Sequence, residues 1–224
     1  MDGDLHREPG LRASPGVPSR FLTATGRRLL HGCLMAEDGD DVLEVLSADP
    51  VRGTAEPTGR RVPLHDVRLL APVSPGRIVA VGRNDADHIA ELSMDTPTAP
   101  RLFFKPPSAV IGPAEPILSP AQSHEVHDEA ELAVAIGRTA REVPAGHALE
   151  DVFGYTCAND VTARDIQRED GQPSWAKAFD TFCPLGPWIT THLDPTKLVM
   201  RCEVNGEDRQ SAGTDTMVHG VLTR

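Results

Sequence analysis

Apolar residues recur along this chain mainly at the two-residue spacing of strands, and only briefly at the spacing of helices. Val42-Leu43-Glu44-Val45-Leu46 forms a short strand between the turn signals Asp38-Gly39 and Asp49-Pro50. Arg77-Ile78-Val79-Ala80-Val81-Gly82 is an apolar run that stops at glycine, as a buried strand does. Leu102-Phe103-Phe104-Lys105 runs into Pro106-Pro107, and proline forces its predecessor into an extended shape, so Lys105 is held extended. Residues 132–136, ending at Gly137, predict a further buried strand, and residues 152–158 form a second strand-like run. Residues 198–204 alternate and meet Asn205-Gly206, a two-residue hairpin signal, with a return strand around 208–210. Helical signals are few. Asn84 or Asp85 can cap a short helix that sets Ile89 and Leu92 one turn apart, and Thr162-Ala163-Arg164-Asp165 has the form of a capping box opening a turn through Gln167. The pattern predicts a mixed α/β chain, mainly β. Residues 1–20 are a flexible tail, 21–71 a small β-rich domain, and 72–224 the larger domain.

Composition narrows the class. A formal net charge of −11 disfavours a nucleic-acid surface or an anionic membrane. No apolar run approaches the ~18 residues of a membrane span, and residues 1–20 lack the apolar stretch of a secretory signal. Cys33, Cys157, Cys183 and Cys202 show neither C-x-x-C nor zinc-finger spacing. They are expected to be reduced thiols, which fits a cytoplasmic location. Cys183 as a nucleophile lacks an obvious histidine partner. The 22 basic residues are nearly all arginine; the lysines are Lys105, Lys177 and Lys197. In such a chain a lysine is the more notable cation, a compact point charge with three donors.

The candidate chemistry starts at Glu129 and Glu131. At i and i+2 on a strand they face one side, where two carboxylates repel unless a cation lies between them. Asp160, ending the second of these strands, can supply a third oxygen. An all-oxygen set of this kind suits Mg²⁺, Mn²⁺ or Ca²⁺ rather than zinc. Equally, such glutamates can edge a solvated strand, and Asp160 can cap the turn that follows it. His88 and Glu91 are i and i+3 neighbours on the short helix, either a surface pair or an imidazole oriented for proton abstraction. Arg164 and Gln167 share a helical face near Asp160.

Several segments occur together in order: Val81-Gly82-Arg83-Asn84 with Asp87-His88, Leu102-Phe103-Phe104-Lys105-Pro106, Glu129-Ala130-Glu131-Leu132, Asn159-Asp160-Val161-Thr162-Ala163-Arg164-Asp165, Lys177-Ala178-Phe179-Asp180 and Val204-Asn205-Gly206-Glu207. This set resembles the fumarylacetoacetate hydrolase family, in its bacterial acylpyruvase and 2-hydroxyhepta-2,4-diene-1,7-dioate isomerase-like branch. The resemblance implies a mixed β-sandwich roll, a homodimer, and Glu129, Glu131 and Asp160 as ligands of Mg²⁺ or Mn²⁺. It implies His88 and Glu91 as a catalytic pair on a lid, Lys177 as a catalytic cation, and Arg164, Gln167 and Thr214 as substrate-binding residues. The expected substrate is a small acidic 1,3-dicarbonyl acid, cleaved hydrolytically at a C–C bond. The alternatives are isomerisation or decarboxylation of a 2-oxo or 2-hydroxydienedioate in aromatic catabolism, or a non-catalytic remnant. Members commonly carry Asn-Tyr where this chain has Asn84-Asp85, and Tyr or His where it has Asp128. They also continue past the segment matching residues 217–221 into a glycine-rich motif. The chain is therefore expected to be C-terminally incomplete, leaving residues 198–204 and 217–222 without cover.

Overall fold

The computed structural model describes residues 17–23, 29–37, 40–86, 89 and 95–221. Five strands build the first sheet: β1 (Val17–Thr23), β2 (Leu29–Glu37), β3 (Asp40–Leu46), β4 (Pro57–Pro63) and β5 (Val67–Leu70). They lie in the order β4-β3-β2-β1-β5, every neighbour antiparallel. Alternation explains the inner face. Phe21 pairs with Leu30, Leu34 pairs with Leu43, and these four pack with Val45 into one cluster. Phe21 and Leu43 are wholly buried. Gly32 lies under the Phe21 ring, where a Cβ would come within 2.9 Å of both Phe21 Cε1 and the Glu44 carbonyl oxygen. The Asp49-Pro50 turn forms as its sequence predicts, with the Asp49 carboxylate accepting from the Val51 amide at 3.0 Å.

The remainder is a set of small sheets. β6 (Ile78–Gly82) pairs with β7 (Arg101–Lys105), and β8 (Val110–Ile111) runs parallel to β13 (Cys183–Thr190). β10 (Ala130–Ile136), β11 (Val152–Asn159), β13 and β8 form a four-stranded sheet in that order. β9 (Val126–His127) pairs with β12 (Thr162–Ala163). β14 (Val199–Val204) and β15 (Glu207–Gly213) form the predicted hairpin, and Asn205 and Gly206 both hold the positive φ that such a turn needs. Helices α1 (Arg164–Asp170) and α2 (Pro173–Ala176) are short. A buried cluster of Val161, Ala163, Ile166, Ala176 and Phe182 joins them to the strand before α1. The first sheet meets this half at β13: Trp188 packs on the Phe21 cluster and Ser19 Oγ donates to the Pro187 carbonyl at 3.3 Å.

Four expectations need correction. Residues 17–20, expected in the flexible tail, begin β1, and the rest of that tail lies outside the described residues. β6, expected to be buried, leaves Val79 50% exposed, because it belongs to a sheet of only two strands. Residues 132–136 are only half-buried, and Ile136 is 53% exposed, because β10 is an edge strand. Thr162 is not a helix cap. Ala163 precedes α1 without a side-chain cap, and the Thr162 hydroxyl instead donates to the Asp160 carbonyl at 2.8 Å. The mainly β, mixed α/β architecture expected from the sequence is the one observed.

Candidate active site

The site grows from two chain segments held side by side. The Asp160 amide donates to the Glu129 carbonyl at 2.9 Å, and the Arg164 amide donates to the Glu125 carbonyl at 2.8 Å. Between them β9 pairs with β12. The Glu129 amide is fixed by Asn159 Oδ1 at 2.9 Å. This frame brings the Glu129 and Asp160 carboxylates to one place, although 30 residues separate Glu129 from Asn159.

Lys177 fills the space between them. Its Nζ lies 2.6 Å from Glu129 Oε2, 2.5 Å from Asp160 Oδ2 and 2.7 Å from Thr162 Oγ1. All three ammonium protons are thereby matched to oxygen acceptors. The ammonium also lies 5.2 Å from the centre of the Phe103 ring. Arg164 donates to Glu129 Oε1 through one nitrogen and to Gln167 Oε1 at 2.8 Å through another. Gln167 thus orients the guanidinium on the face of α1 that points at Glu129. Lys105 completes the group: its Nζ lies 2.7 Å from Asp160 Oδ1 and donates to the Lys177 carbonyl at 2.6 Å. Lys105, Lys177 and Asp160 are all buried. Burial pushes the Lys105 ammonium below its ordinary pKa, and Asp160 opposes that shift.

Glu131 stands apart. It keeps solvent contact at the rim while protein crowds its carboxyl on most sides. That crowding, then the charges of Glu129 and Asp160, push it up to about 8, against the pull of Lys177. It has no hydrogen bond or ion pair to any described residue. Asp160 Oδ1, although close to Lys105, lies outside hydrogen-bond alignment. A crowded carboxylate without a partner and a lone pair not engaged by an aligned donor are what a hard cation with oxygen ligands stabilises. The donor set therefore fits a divalent ion. As placed, however, no three acidic, histidine or cysteine side chains among the described residues stand close enough to form a cage. Glu129 and Asp160 converge on the Lys177 ammonium instead.

The sequence-predicted residues divide accordingly. Glu129, Asp160, Lys177, Arg164 and Gln167 come together, with Glu131 in electrostatic reach. Thr214 does not join them: its hydroxyl and amide bond to the backbone of Leu198, closing the base of the β14–β15 hairpin. His88 and Glu91 lie outside the described residues. Cys183 is buried and its thiol is pushed up to about 11, chiefly by burial, which is unsuited to a nucleophile. Asn159 received no role from the sequence, Thr162 only that of a helix cap, and Lys105 was notable only as a scarce lysine before a proline pair. Two cavities, of about 380 and 280 Å³, lie elsewhere, and neither is lined by Glu129, Glu131 or Asp160.

Fold and site together define a member of a family of β-rich proteins with clustered carboxylates and lysine. The chain belongs to the fumarylacetoacetate hydrolase family: the model described as "Fumarylacetoacetate (FAA) hydrolase C-terminal" matches residues 77–223, and "Rv2993c-like, N-terminal" matches residues 20–72. Protein Rv2993c of Mycobacterium tuberculosis is 51% identical over 172 residues, covering 75% of this chain and 65% of that protein. The chain thus spans about two thirds of that relative's length. Among solved structures, 5-carboxymethyl-2-hydroxymuconate delta-isomerase from Mycobacterium smegmatis superposes with a TM-score of 0.84 at 44% identity, covering 92% of this chain and 79% of its own. Maleylpyruvate hydrolase from Sphingobium sp. SYK-6, in complex with manganese(II) and pyruvate, gives 0.69 at 30% identity, covering 92% and 80%. No helix among the described residues is long and apolar enough to cross a membrane.

Proposed function

We propose that the protein hydrolyses a C–C bond in a small, acidic, acylpyruvate-like 1,3-dicarbonyl compound, using Mg²⁺ or Mn²⁺. The observation that carries this reading is the meeting of Glu129 and Asp160 with the cations Lys177 and Arg164 in one cluster, with Glu131 in electrostatic reach. It is supported by the manganese and pyruvate in the related maleylpyruvate hydrolase. Glu129, Glu131 and Asp160 would hold the metal, which when bound supplies Lewis-acid polarisation of a 2-oxo acid.

The chain's own residues do the rest. Arg164, oriented by Gln167, binds the substrate carboxylate as a planar donor fork. Lys177 exchanges one of its oxygen partners for the developing oxyanion and stabilises it in a water-poor setting. His88, paired with Glu91, takes a proton from water as its oxygen bonds to the distal carbonyl carbon. The C–C bond then breaks, its electron pair forms the enolate of the 2-oxo acid, and His88 returns the proton. A soluble cytoplasmic homodimer, acting on a small acid and on neither nucleic acid nor membrane, is part of the same proposal.

A second reading is isomerisation without cleavage, favoured by the similarity to the M. smegmatis isomerase. The test is a screen of the purified protein with Mg²⁺ or Mn²⁺ against acylpyruvates, oxaloacetate and 2-hydroxydienedioates, repeated after removal of metal with EDTA. Metal-dependent release of pyruvate and a carboxylic acid is the expected result. Interconversion without cleavage selects the second reading. A protein that binds Mn²⁺ but changes none of these compounds is the non-catalytic form, and both readings then fall.

A further inference from the structure

We propose that Lys105 is the positioning residue of this site: its buried ammonium joins the Asp160 carboxylate to the main-chain carbonyl of Lys177, and so fixes where the Lys177 ammonium stands. This deepens the reading above and rests on it for the part Lys177 plays in turnover. The geometry itself does not depend on that reading.

β7 alternates, so Phe103 and Lys105 point inward and are buried while Leu102 and Phe104 stay exposed. The strand ends at Lys105 because Pro106 follows in extended geometry, which leaves the lysine stem little freedom to swing away. Lys177 lies just beyond α2, a helix of four residues. Its amide is spent on the Pro173 carbonyl at 3.1 Å, but its own carbonyl has no partner within that turn. Lys105 supplies that partner from 72 positions away in sequence. The same ammonium forms an ion pair with Asp160 Oδ1 at 2.7 Å, while Asp160 Oδ2 accepts from Lys177 Nζ. The result is a closed loop of contacts: Lys105 to the Lys177 backbone, the Lys177 side chain to Asp160, and Asp160 back to Lys105. Such a loop removes the slack from Lys177 at both ends. Lys105 does not bond to Glu129 or Arg164, so its action on the proposed chemistry runs through Lys177 and Asp160.

The scarcity of lysine makes the test clean. Lys105, Lys177 and Lys197 are the only lysines, and the Lys197 side chain is 82% exposed, an internal standard. The full chain is treated briefly with acetic anhydride below its melting temperature, and each lysine peptide is quantified by mass spectrometry. In the unsubstituted chain Lys177 is acetylated far more slowly than Lys197. In Lys105→Met the rate at Lys177 relative to Lys197 rises about 10-fold or more, as expected from losing hydrogen bonds to a charged group. If Lys105→Met does not fold, Lys105→Gln, which keeps an amide donor, carries the same test with a smaller rise. An unchanged Lys177 rate in a folded variant overturns the proposal, as does a Lys177 as reactive as Lys197 in the unsubstituted chain. Turnover separates the two claims. Lys105→Met should lower kcat with KM within about 3-fold, and should cause no further loss in the Lys177→Met background, because the two act as one unit. Additive losses overturn the positioning role. A raised Lys177 rate with turnover insensitive to Lys177→Met leaves the positioning role standing and sinks the functional reading.

Discussion

The five-stranded sheet and the carboxylate cluster are built on opposite principles. The sheet is a continuous antiparallel ladder whose inner face is Phe21, Leu30, Leu34, Leu43 and Val45, with little polar content in its core. The cluster sits among two- and four-stranded sheets and short helices, and its centre is Lys105, Asp160 and Lys177, all buried. In the first region, removing water from apolar surface stabilises the fold by ~1.5–3 kcal/mol per side chain, without regard to direction. In the second, charged groups lose their hydration, and only matched contacts at 2.5–2.7 Å compensate for it. The first tolerates change in proportion to volume lost; the second responds to a single missing donor.

The largest expected effect that would break or sharpen this contrast is in the sheet. Phe21→Ala removes a wholly buried ring and should cost about 3–5 kcal/mol in urea unfolding, with turnover per folded molecule nearly unchanged. A large fall in turnover of the folded fraction would mean that the two regions are not separable. Lys177→Met should do the reverse, lowering turnover by ~10²–10³-fold, the scale for removing a preorganised donor to a developing charge. Wild-type turnover in that variant would remove Lys177 from the chemistry. Arg164→Lys keeps the charge but loses the planar fork shared between Glu129 and Gln167, so kcat/KM should fall about 10-fold, near the lower end for one hydrogen bond to a charged group. An unchanged kcat/KM would show that charge alone suffices.

The smallest effect concerns pH. Asp165 accepts from Ser123 Oγ at 2.6 Å and from the amides of His124 and Ile166, and these bonds hold its carboxyl down at about 2. A lowered folded-state pKa gives stability that is fully present above the unfolded value of ~3.9 and lost as pH falls toward 2. Asp165→Asn should therefore lower the melting temperature at neutral pH, and the gap from the unsubstituted chain should close between about pH 4 and pH 2. A gap that persists at pH 2 would assign the loss to packing rather than charge.

Legibility in the sequence followed the same division. One strand of the first sheet, at residues 42–46, and the Asn205-Gly206 hairpin were visible because alternation and turn chemistry are local signals. The acidic and basic site residues were visible through the family motifs. What those signals could not reach was the matching of donors to acceptors across long separations. Nothing near Thr162 distinguishes a helix cap from a hydroxyl reserved for Lys177, 15 residues on. Nothing near Lys105 says that it will meet a carbonyl 72 residues later. The half-burial of residues 132–136 escaped for a related reason: an apolar run does not reveal whether its strand lies inside a sheet or at its edge.

That edge carries a further consequence. Gln210 on β15 accepts from the Ala130 amide at 2.8 Å and donates to the Ala130 carbonyl at 2.9 Å. Its carboxamide copies a peptide group, occupying the two backbone positions that Ala130 would offer an incoming strand. The protection depends on the neutral amide of one side chain. Deamidation to glutamate would set acceptor against acceptor at the Ala130 carbonyl and add negative charge beside Glu129 and Glu131, and faster hydrogen exchange of the Ala130 amide would report it. Loss of that amide would open the strand edge at Ala130, one residue away from both glutamates of the site, so that self-association and loss of function would share a starting point.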